Sequence, residues 1–111
     1  MSWIETAIDN ASQPIEIDVK DLGMGVDTLS VIPLSATEYQ ALKAHPDAIR
    51  LSGDDKNEYL GMRMVYEMLH KCDNNLKWGQ FQQLPIQLLG AISTRVTDAI
   101  GDLGGGALGE A

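Results

Sequence analysis

Ile15, Ile17 and Val19 alternate with Glu16, Asp18 and Lys20. A period of two puts the aliphatic side chains on one face and the charged ones on the other, the pattern of a half-buried strand. Leu22-Gly23-Met24-Gly25 follows as a glycine-containing turn. Val26 to Leu34 reads as a second strand, in which Leu29 and Val31 alternate around Ser30. The two strands are expected to pair as an antiparallel hairpin with a loop of several residues, Leu22 and Met24 folding inward. Two strands alone are marginal in water, so the hairpin must pack on helices or join another sheet. That requirement governs the reading of the rest of the chain.

Helices are there to meet it. Ser35-Ala36-Thr37-Glu38 has capping-box spacing just after Pro33, and Tyr39 and Leu42 follow at helical spacing. This helix is expected to end near His45, because Pro46 disfavours helical geometry at the residue before it. Pro46 to Gly53 reads as a loop anchored by Ile49 and Leu51. Asp54 or Asp55 then caps a longer helix. Tyr59, Met62, Tyr66 and Leu69 form its main stripe, widened by Val65, Met68 and Cys72, with Leu60 and Met64 on another side. So wide an apolar arc predicts a central helix contacted from two directions. Lys71 suits its last turn, and Asp73-Asn74-Asn75 closes it. Trp78, Phe81 and Leu84 predict one helical turn. Pro85 then opens a last helix with an apolar face of Leu88, Leu89, Ile92, Val96, Ile100 and Leu103.

The expected fold is therefore α+β: an N-terminal antiparallel hairpin packed on a bundle of about three helices, forming one domain over residues 15–103. Residues 1–14 are a separate arm. Ser2 and Glu5 have capping-box spacing, and Trp3, Ile4, Ala7 and Ile8 share one face of a short helix over residues 2–10. That helix either folds back on the core or docks on a partner. Residues 104–111, rich in glycine, are expected to be a flexible tail.

Charge narrows the partners. Sixteen acidic residues against eight basic ones give a net charge of -8. Phosphate binding needs a basic stripe, and a membrane-surface helix needs Lys and Arg on its polar face, so neither nucleic acid nor membrane is expected. The first residues lack a basic start and a long apolar run, so no signal peptide is expected, and Cys72 is the sole cysteine, which excludes an internal disulfide. Basic or apolar proteins remain as partners.

Catalytic and metal chemistry find little footing. His70 and Cys72 are two residues apart and point to different sides of a helix, and His45 is distant in sequence. No CxxC or HExxH is present, so no metal or cofactor is expected, and Cys72 reads as a buried thiol. Gly23 and Gly25 lack the third glycine and the helix of a phosphate loop. Trp78 and Phe81 fit either core packing or an interface platform, with core packing preferred in a chain so poor in large aromatics.

The order of elements carries a resemblance. A hairpin ends in Val31-Ile32-Pro33-Leu34-Ser35-Ala36-Thr37-Glu38, and a helix runs through Met64-Val65-Tyr66-Glu67-Met68-Leu69 to Cys72-Asp73. Trp78-Gly79-Gln80-Phe81-Gln82-Gln83-Leu84-Pro85 follows, and an amphipathic helix ends at Leu103-Gly104. Over residues 15–103 this resembles the tail assembly chaperones of long-tailed bacteriophages and prophages. Asp73-Asn74-Asn75 stands where that family has an acidic-glycine turn, and Trp78 where it has a smaller residue. The resemblance implies a non-enzymatic protein of the host cell cytoplasm, absent from the mature virion. It would coat the tape measure protein until tail tube subunits polymerise around it. It also implies a longer, frameshifted form, with the codons of Gly104 to Gly106 as the candidate slip site. The alternative is a structural virion component, such as a head–tail joining or tail-tip subunit. The expected contact residues are Trp3, Ile4 and Ile8 of the arm, Ile15 and Ile17 of the hairpin, and Trp78 and Phe81.

Overall fold

The computed structural model describes residues 2–103, with side chains as far as Gly101. The expected glycine-rich tail and the Leu103 side chain lie outside the described residues. The fold is α+β, a two-stranded antiparallel hairpin among helices. The described residues form six helices where about three were expected. The extra ones are the arm and two single turns that link longer helices.

Strands β1 (Ile15–Asp18) and β2 (Thr28–Val31) pair in the register Ile15↔Val31, Glu16↔Ser30, Ile17↔Leu29 and Asp18↔Thr28. Both are shorter than the alternation suggests. Val19 leaves the extended geometry to start a 3₁₀ turn over Lys20–Leu22, yet stays fully buried. The loop reverses through Gly23 and Gly25, at φ 68° and 86°, in the left-handed region that glycine enters without a Cβ clash. At the other end the ladder stops at Val31. The next donor, the Ile32 N–H, is taken by the Met68 carbonyl at 3.2 Å, and Pro33 has no N–H to offer. This bond pins the hairpin to the central helix.

Helix α2 (Ala36–Lys43) starts as expected. The Ser35 hydroxyl accepts from the Glu38 N–H at 3.1 Å, and the Glu38 carboxylate accepts from the Ser35 N–H at 2.8 Å. The expected loop after it is instead a helical turn, α3 (Pro46–Ile49). Pro46 occupies its first position, where a missing N–H costs nothing, and the His45 Nδ1 caps it by accepting from the Asp47 N–H at 3.1 Å. The turn buries Ala48 and leaves Ile49 65% exposed, so Ala48, and not Ile49, is the anchor.

Helix α4 (Gly53–His70) begins two residues before the expected start, after Ser52. Asp54 and Asp55 therefore sit inside its first turn, where they favour the helix dipole without capping it. The expected two-sided contact is present. Val65, Tyr66, Met68 and Leu69 join the main core with Ile17, Val19, Val31, Phe81, Leu89, Ile92 and Val96. Leu60 joins a second cluster with Leu42 and Ala48, and Met64 packs on both. Helix α5 (Trp78–Phe81) is the expected single turn, and α6 (Ile86–Leu103) follows Pro85. The Tyr66 hydroxyl donates to the Leu76 carbonyl at 2.9 Å and ties the α4–α5 connection to α4. Arg95 of α6 holds the hairpin loop by a two-pronged pair with the Asp21 carboxylate and a bond of 3.0 Å to the Asp18 carbonyl.

Candidate binding surface

Helix α1 (Trp3–Ala11) has the clearest two-faced pattern in the chain. Trp3, Ala7, Ala11, Ile4 and Ile8 fall on one continuous arc, bordered by Glu5 and Asn10, with Asp9 on the opposite face. Every residue of α1 is exposed, including Trp3 at 79%, Ile4 at 48% and Ile8 at 58%. The fold-back alternative is therefore not the one adopted. The Ser2–Glu5 box is not formed either, since the Ser2 side chain makes no capping bond. The other end is well tied. The Ser12 hydroxyl donates to the Ile8 carbonyl at 2.9 Å, and the Gln13 amide nitrogen donates to the Asp9 carbonyl at 3.4 Å.

The remaining expected contact residues lie further in. Ile17 and Phe81 are buried in the main core, Phe81 at 2% exposure, and Ile15 packs partly buried against it. Their apolar surface is already covered by this chain. Trp78 is half-buried. Its ring meets Tyr66 edge-on at 5.3 Å, Tyr59 edge-on at 5.9 Å and Phe81 in a stack at 6.1 Å. The Arg63 guanidinium covers it at 4.7 Å and is held there by a 2.8 Å bond to Glu67. This is core packing with a cationic cover. Tyr59, on the edge of the cluster, buries its hydroxyl near the Arg63 guanidinium, and burial pushes its pKa up.

A second apolar feature was not anticipated. Pro33, Leu34 and Ala36, with Tyr39 of α2, Met64 and Met68 of α4, and Thr97 and Ile100 of α6, line a groove of about 580 Å³. Among the described residues its lining contains no carboxylate, ammonium or guanidinium. Two methionines in its floor give it adaptable, polarisable walls. At its border the Lys43 ammonium sits 5.4 Å from the Tyr39 ring centre. Nearby, Lys71 donates to the Pro33 carbonyl at 3.1 Å and to the Glu38 carboxylate at 2.7 Å. That lysine and the Ser35 N–H hold the Glu38 carboxyl below its usual pKa. Met64, set apart from the main stripe of α4, was the one local signal of this groove.

Chemical groups do not converge elsewhere. Among the described residues, no set of three or more His, Cys, Asp or Glu side chains is placed to hold a metal ion. His70 lies against the Tyr66 ring at 5.5 Å, and His45 is a helix cap. Cys72, expected to be buried, is exposed, because it falls in the turn after α4 and not on the helix's inner face. No described helix is long and apolar enough to cross a membrane. Compared with protein-family models, curated proteins and solved structures, the chain matches none.

Proposed function

We propose that this protein is a non-enzymatic tail assembly chaperone that covers apolar helical surface on a phage tape measure protein and hands it to tail tube subunits. The observation that carries the reading is the uncharged, methionine-floored groove on a chain of net charge -8. An exposed amphipathic helix aggregates unless its apolar face is covered. A groove between helices covers such a face by helix-in-groove packing, and the acidic surface keeps the complex soluble. The resemblance over residues 15–103 supplies the particular client. A frameshifted longer form and residence in the host cytoplasm belong to the same proposal.

The test is co-expression of the full chain with the tape measure protein encoded beside it. The expected outcome is a soluble complex recovered by pull-down, and loss of tape measure protein to the pellet without the chain. A tape measure protein equally soluble alone would refute the reading. Mass spectrometry of purified virions should not find the chain, and its presence there would favour a structural subunit instead.

A further inference from the structure

We infer that α1 of one molecule lies in the α2–α4–α6 groove of a second copy of this chain, and the second copy's α1 lies in the groove of the first. Among the described residues the chain carries both halves of such a contact: an apolar helix face that no groove covers, and an apolar groove that no helix fills. Their positions suit an exchange. Ile15 pairs with Val31, so the three residues that join α1 to β1 run beside the β2–α2 connection, whose Pro33 and Leu34 form the groove wall. Thus α1 leaves the body at the edge of the groove.

Its exit is stiff. Ser12 and Gln13 close α1 with bonds back to Ile8 and Asp9, and Pro14 with its fixed φ is the last residue before β1, so the link is short. A groove on a neighbouring molecule is then more accessible than its own. Local charge agrees: Glu5 borders the apolar arc, α1 has no cation, and Lys43 lies by the Tyr39 ring of the groove lining, while the net charge of -8 opposes self-association at long range.

The areas fit a small, concentration-dependent interface. From the exposures of Trp3, Ile4 and Ile8 and ordinary side-chain sizes, the open apolar face of α1 is roughly 400 Å². Two such faces, set into grooves that each offer less area than the helix brings, bury roughly 1,100 Å² in total, the low end for a specific interface. This inference concerns the chain alone, so it stands or falls separately from the tail-assembly reading.

The experiment is light scattering after gel filtration of the full chain from micromolar to millimolar concentration, with fluorine NMR of fluorotryptophan-labelled protein. The expected result is a concentration-dependent dimer in which the Trp3 signal shifts and the Trp78 signal does not. Trp3→Ser with Ile8→Ser removes the helix face at exposed positions. Ala36→Glu blocks the groove at the first turn of α2, where an acidic residue suits the helix dipole. Each variant should weaken self-association at least tenfold. Mixing the two should restore a heterodimer, because one intact helix then meets one intact groove. Should Ala36→Glu lose its fold by circular dichroism, the Trp3 signal and the α1 variant still decide. A monomer at every concentration, a dimer that the α1 variant leaves intact, or a Trp3 signal already shifted in the dilute monomer would each overturn the inference.

Discussion

Replacing Phe81 by alanine separates a core residue from a contact residue. Phe81 is 2% exposed, and its ring centre lies 5.7 Å from that of Tyr66 and 6.1 Å from that of Trp78. It is also the buried residue of α5, a four-residue turn too short to persist without tertiary support. Removing a buried phenyl group costs its transfer energy plus the cavity left behind, about 3–5 kcal/mol. A domain of this size has roughly 5–15 kcal/mol in all. The variant should therefore be folded with a thin margin, or largely unfolded at the low end of that range.

Urea unfolding followed by far-ultraviolet circular dichroism reads the effect directly. With an m-value of about 1.3 kcal/mol/M, a loss near 4 kcal/mol lowers the midpoint by about 3 M at unchanged slope. Phe81→Leu keeps most of the volume but gives up the aromatic pairs, so it should lose only about 1–2 kcal/mol. If the alanine variant moves the midpoint by less than about 0.5 M, the packing argument fails and Phe81 is free for an external partner.

Tyr66→Phe leaves the buried ring but removes the donor to the Leu76 carbonyl, and should cost about 0.5–1.5 kcal/mol in the same assay. Ser35→Ala breaks one half of the α2 capping box and should cost about 1 kcal/mol, with a threonine variant recovering most of it. The Arg95 guanidinium beside Asp21 lowers that carboxyl from the ordinary 3.8 to about 2. A depressed carboxyl stabilises the fold above its unfolded pKa, so this contribution is intact above pH 4 and fades as the pH falls towards 2. Carboxyl NMR should show the Asp21 midpoint near 2, and Arg95→Gln should return it to the ordinary range. If the tail-assembly reading and the exchange of α1 both hold, a client helix that binds the groove should convert the dimer to a monomer in light scattering.

The parts of the fold that were legible in the sequence are those set by local rules. The hairpin follows from the alternation of Ile15, Ile17 and Val19, and α2 from two reciprocal capping bonds within four residues. Trp78 and Phe81 took the preferred of their two outcomes, but at Pro46 and Cys72 the structure took the less expected one. Pro46 both ends one helix and opens the next, because an imidazole nitrogen at His45 can cap as an Asn oxygen would. Cys72 continues the stripe of α4 by spacing, but the helix ends at His70, so its side chain never reaches the core. The groove was illegible for a different reason. Its walls come from residues 33–36, 39, 64, 68, 97 and 100, and no window of sequence holds them together. Of the expected contact residues, the three on α1 remain on the surface, because amphipathic periodicity reports a face that needs covering but not what covers it.

The distribution of charge decides how such a surface works. Among the described residues, Asp21, Glu38, Asp47 and Glu67 pair with Arg95, Lys71, Arg50 and Arg63. Glu38, the carboxylate next to the groove wall, is one of these, so the acidic coat is neutralised where the apolar lining begins. Among the described residues an occupant of the groove therefore meets no charged side chain in its lining. Attraction there comes from apolar contact, which is indifferent to sequence detail and tolerant of varied helices when methionines form the floor. Net charge acts at longer range. It repels other acidic molecules and keeps an occupied complex in solution, but it does not choose the occupant. Selection falls instead to shape, and to Lys43 beside the Tyr39 ring, which favours a helix bordered by a carboxylate. The chain's own α1, with Glu5 bordering its apolar arc and no cation, is a helix of that kind.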